Sequence, residues 1–76
     1  MKRVLIADDN RSTVEALQSL VEGLGMAVEA DVCFNGEDAL ALAAKNRYNL
    51  VITDLKMPKV DGLEVLRQVK KLSSET

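Results

Sequence analysis

The chain lacks histidine and tryptophan altogether and holds one cysteine, one proline and two aromatic residues, Phe34 and Tyr48, among 76 residues. Without histidine the usual zinc constellations are excluded, and a lone Cys33 cannot close an internal disulfide. That usage fits a reducing cytoplasm. The single proline and four glycines beside 47% apolar residues exclude collagen-like and disordered classes. A net charge of −2, no basic cluster and no aromatic pair on which bases could stack argue against direct nucleic-acid binding. Long hydrophobic runs are missing too: Val4-Leu5-Ile6-Ala7 meets Asp8-Asp9 at once, far too early for a membrane span or a signal-peptide core. A soluble, cytoplasmic protein is expected.

What remains is aliphatic. Eleven Leu, nine Val, eight Ala and two Ile suit helices packed on a β-branched sheet. The pattern recurs about every 25 residues, as three βα units would. Val4 to Ala7 reads as a strand buried on both faces. Ser12-Thr13-Val14-Glu15 reads as a capping box, followed by a stripe of Val14, Leu17, Val21 and Leu24 that Gly25 would stop. In the second unit Glu29 and Asp31 alternate with Val28, Ala30 and Val32, the mark of a partly wet edge strand ending at Cys33. Asn35 is the expected cap of a helix whose inner face is Ala39, Leu40 and Ala43. The third unit pairs the buried-strand run Leu50 to Thr53 with a helix capped by Asp61, with Leu63, Leu66 and Val69 as its stripe.

Topology then gathers the chemistry. Parallel crossovers are right-handed, and the crevice of an open sheet lies beyond the carboxyl ends of its strands, where strand order reverses. With the polar second strand at the edge, the order is 2-1-3 and the reversal falls between strands one and three. Asp8, Asp9 and Asp54 close those two strands. Carboxylates crowded together repel unless a cation compensates, and Mg2+ prefers hard oxygen ligands of this kind. One such carboxylate can also accept a phosphoryl group as a nucleophile.

Asp8-Asp9 after strand one, Asp54 after strand three and Asp54-Leu55-Lys56-Met57-Pro58 followed by Asp61-Gly62 resemble the receiver domain of two-component response regulators. The resemblance runs over residues 1–76. It implies an α/β, flavodoxin-like three-layer fold truncated to (βα)3, and a signalling domain rather than an enzyme. By the same resemblance Asp54 is the phospho-acceptor. Asp9 and Asp54 ligate Mg2+ directly, Asp8 helps through water, and the Lys56 backbone carbonyl completes the set. The donor is a sensor histidine kinase or phosphotransfer protein, docked near Asn10, Arg11 and Val14.

Complete receivers have five strands, so this sequence is expected to lack the later Ser or Thr and the Lys that contact the phosphoryl group. An unprotected third strand and a partly bare sheet face then predict a homodimer or higher assembly. The competing reading is a non-switching interaction module. A magnesium-dependent phosphohydrolase is disfavoured because Lys56, not aspartate, stands two positions after Asp54. Cys33 is expected to be a small buried residue.

Overall fold

The computed structural model describes residues 2–24, 27–54 and 62–72. Three strands, β1 (Lys2–Ala7), β2 (Val28–Cys33) and β3 (Leu50–Thr53), alternate with three helices, α1 (Arg11–Glu22), α2 (Gly36–Lys45) and α3 (Gly62–Leu72). All strand pairs are parallel and the order is β2-β1-β3, as the burial pattern of the sequence predicts. In-register pairs include Ile6 with Val32 and with Ile52, and Ala7 with Cys33 and with Thr53, so the three carboxyl ends lie level.

Successive β1 side chains point to opposite faces, and each face carries its own core. Val4, Ile6 and Val14 are buried on the α1 side, with Leu17, Val21, Val32, Phe34 and Ile52 packed against them. Leu5, Ala7, Cys33, Ala39, Ala43, Tyr48, Val65 and Val69 fill the other side, beneath α2 and α3. Right-handed crossovers produce this division: one helix on the first face and two on the second. Alanine at positions 39 and 43 lets α2 lie close to the sheet.

Several local expectations are corrected. The cap of α1 is Asn10, not Ser12: its Oδ1 accepts from the Thr13 amide at 3.1 Å, from an extended backbone of φ −92° and ψ 108°. The Asp8 carboxylate accepts from the Asn10 amide at 2.9 Å, so the turn out of β1 is already closed one residue before the helix. Ser12 therefore falls inside the first turn. The helix ends at Glu22 with Gly23 as its cap, so Leu24 lies past it and is exposed, and Gly25 lies outside the described residues. In α3 the buried stripe is Gly62, Val65 and Val69, whereas Leu63 and Leu66 face outward. Apolar residues at 63, 65, 66, 69 and 72 allow two stripes, and the β-branched pair lies against the sheet. Asp61 and the Met57-Pro58 turn lie outside the described residues.

The Asn35 cap of α2 holds: its Oδ1 accepts from the Asp38 amide at 2.8 Å while its Nδ2 donates to the Asp38 carboxylate at 3.1 Å.

Candidate functional site

Two backbone bonds continue the sheet past its strands. The Asp8 amide donates to the Cys33 carbonyl at 3.2 Å and the Asp54 amide donates to the Ala7 carbonyl at 3.0 Å. These bonds fix where Asp8 and Asp54 leave the sheet, and Asp9 follows in the turn toward α1. One carboxylate oxygen from each of Asp8, Asp9 and Asp54 lies within 4.8 Å of the others. Asp8 and Asp54 are half-buried and Asp9 is exposed. The convergence at the reversal of strand order is thus realised between β1 and β3.

Such a donor set is all oxygen, with Asp9 exposed, which suits a hard divalent cation that keeps part of its water shell. Lys56 lies outside the described residues, so the contribution of its carbonyl rests on the sequence alone.

Around the cluster, Asn10 and Arg11 are exposed at the start of α1. Val14 is not available for docking, being 1% exposed within the core beneath α1. The Arg11 guanidinium lies over the Phe34 ring, 4.3 Å from its centroid. Cys33 is buried as expected, and burial pushes its thiol up to about 11.

A polar network that pattern reading missed lies on the α2/α3 side. Asp31, expected on a wet strand face, accepts from Tyr48 Oη at 2.7 Å and from Arg3 Nη2 at 2.9 Å. The Tyr48 hydroxyl and then Arg3 hold the Asp31 carboxyl below the usual carboxylate range, against the opposing effect of partial burial. Burial first, and then Asp31, push the Tyr48 hydroxyl far above its ordinary value, so it stays a donor. The available signal was a basic residue opening one strand and an acidic residue in its neighbour, but strand register is needed to bring Arg3 and Asp31 together.

A parallel α/β sheet carrying acidic residues at its topological switch point defines a class of single-sheet α/β domains in which the crevice does the chemistry. Within that class, the family model of the response regulator receiver domain matches residues 4–76. The chain therefore belongs to the response regulator receiver domain family.

Its fold is the flavodoxin-like one of the solved receivers it is similar to. The response regulator TrrA of Thermotoga maritima, in complex with Mg2+ and BeF, superposes with a TM-score of 0.88 at 38% identity, over 97% of this chain and 63% of that one. The same regulator in complex with the histidine kinase ThkA gives 0.87 at 37% identity, over 100% and 64%. The transcriptional regulatory protein DltR of Streptococcus agalactiae is 38% identical over 74 residues, 97% of this chain and 32% of DltR. The chain thus spans about a third of that curated relative. Among the described residues no helix is long and apolar enough to cross a membrane.

Proposed function

We propose that this chain is a phospho-acceptor in a two-component phosphorelay, with Asp54 as the acceptor and Asp8 and Asp9 as its acidic neighbours. The observation that carries the reading is the convergence of these three carboxylates within 4.8 Å at the switch point of a receiver-family sheet. That a similar regulator is known with Mg2+ and BeF, and in complex with a histidine kinase, supports the choice of cation and donor.

An Asp54 carboxylate oxygen attacks the phosphorus of a phosphohistidine. The P–N bond breaks, the electron pair stays on the imidazole nitrogen, and that nitrogen takes a proton from water. Asp54 then carries an acyl phosphate. Backbone bonds at the β1 and β3 ends fix where Asp8 and Asp54 leave the sheet, so both side chains start from the same end of the crevice. Asp8, Asp9, Asp54 and the Lys56 carbonyl are the groups that would hold Mg2+, which when bound neutralises charge on the transferred oxygens. The setting is the cytoplasm, and the role is signalling, not turnover.

The test is intact mass after incubation with Mg2+ and a small phosphodonor. A gain of one phosphoryl group in the wild type that is absent in Asp54→Asn is expected; no gain in the wild type sinks the reading.

A second reading is favoured by one observation. Leu50 is 52% exposed, and a groove of about 220 Å3 lined by Leu50, Val51, Leu66 and Val69 runs beside β3. The outer edge of β3 has no strand partner among the described residues. An assembly module that joins copies of the chain through this edge, independent of phosphate, would show the same mass by light scattering with wild-type and Asp54→Ala protein.

A further inference from the structure

Arg11 opens α1, two residues after Asp9, and the α1 N-terminus stands at the same end of the sheet as the three carboxylates. A long cation beside such a cluster is expected to fold onto it. Instead the guanidinium lies against the Phe34 ring, 4.3 Å from the centroid, and Arg11 makes no ion pair among the described residues. The first turn of α1 holds no acidic residue that could capture it.

Phe34 is fixed from below and from behind. Its ring packs against the core of Val4, Ile6 and Val14. Its backbone follows Cys33, whose carbonyl binds the Asp8 amide. The ring is therefore anchored one residue from a bond that also positions a site carboxylate. A guanidinium stacked on a ring face keeps its in-plane N–H donors free.

We infer that Arg11, held by Phe34, is the donor-recognition residue of this site, a positioned cation that selects dianionic phosphodonors. This rests on the reading of Asp54 as the acceptor. A donor phosphoryl group must approach three carboxylates, and a divalent ion leaves that group of charges net negative. A positive charge held at the start of α1, at the carboxylate end of the sheet, offsets part of the remaining repulsion, while its seat on the ring that follows β2 keeps it off the carboxylates. Arg11 acts on the encounter and affinity of the donor, and Asp54 alone forms the bond.

Acetyl phosphate, a dianion at neutral pH, and phosphoramidate, which carries a single net charge, separate the alternatives. With acetyl phosphate an Asp54 oxygen attacks phosphorus, the P–O bond to the acetyl group breaks, and acetate leaves with the electron pair. Phosphorylation rate against donor concentration is read by intact mass in Mg2+ for the wild type, Arg11→Ala, Arg11→Lys and Phe34→Leu. In Arg11→Ala the apparent second-order rate constant with acetyl phosphate falls about tenfold at low salt and less at high salt. With phosphoramidate it changes little. Arg11→Lys keeps the charge without the planar stack and falls between. Phe34→Leu keeps the charge without the ring and shifts the donor ratio in the direction of Arg11→Ala. If the wild type takes no phosphate from either donor, the acceptor reading itself fails. If the wild type is phosphorylated and Arg11→Ala keeps its donor ratio, or loses rate equally with both donors, the assignment of Arg11 is overturned.

Discussion

Tyr48 shows how one residue type decides a site's character. Its ring is buried, yet its hydroxyl reaches Asp31 at 2.7 Å, and Asp31 in turn holds Arg3. Tyr48→Phe leaves the packing and removes one charge-assisted bond, so a loss of about 1–2 kcal/mol in urea unfolding is expected. Acid should expose the same network. The Asp31 carboxyl titrates below its ordinary value of 3.8 in the folded chain, so below that value the unfolded chain binds more protons. The stability it supplies is complete above the ordinary value and is lost as the pH falls through the folded one. The difference in urea midpoint between wild type and Asp31→Asn should therefore be largest near neutrality and shrink below about pH 4. Cys33 is the opposite case: a thiol pushed up to about 11 by burial stays protonated at neutral pH, and a thiol reagent should modify it only as the chain opens.

At the scale of elements, the helix ends and helix faces give sharp tests. Asn10→Ala removes the α1 cap and should cost about 1 kcal/mol, while Ser12→Ala, inside the first turn, should be close to neutral. In α3, Val65→Ala empties space in the core and should cost roughly 1–3 kcal/mol, while Leu63→Ala, 58% exposed, should cost little. These pairs mark where the sequence was legible and where it was not. Strand runs such as Leu50 to Thr53 carry their own signal, since a continuous β-branched stretch ending in aspartate has few alternatives. The α1 stripe of Val14, Leu17 and Val21 was equally plain. A cap was not, because Asn10 and Ser12 are both good caps and only the length of the turn after Ala7 chooses between them. The face of α3 was ambiguous because five apolar residues in ten positions satisfy two helical stripes. The aspartate cluster was legible because topology, more than any single residue, brings Asp8 and Asp54 together. The partly wet edge strand was legible, but the bonds of Asp31 were not, because its partners come from another strand and from a loop.

For the whole molecule, the carboxylate cluster is a local cost that binding can relieve. Three acidic groups within 4.8 Å repel in the folded chain more than in the unfolded one, so an ion that binds only the folded form raises stability by mass action. Millimolar Mg2+ should raise the urea midpoint of the wild type, and Asp9→Asn should abolish most of that rise. The strand order carries a further consequence, for the route by which the chain reaches this state. Among the described residues β2 and β3 do not pair with each other; each is hydrogen-bonded into the sheet through β1. The β1-α1-β2 half can close over about thirty residues, whereas β3 must find β1 across a much longer loop, which costs more entropy and comes later. The folding nucleus should therefore lie in β1, α1 and β2. Truncating Ile6 or Val32 should slow refolding, while truncating Val65 or Val69 should mainly speed unfolding. As the chain leaves the ribosome, the first two strands can pair while Asp54 is still being made.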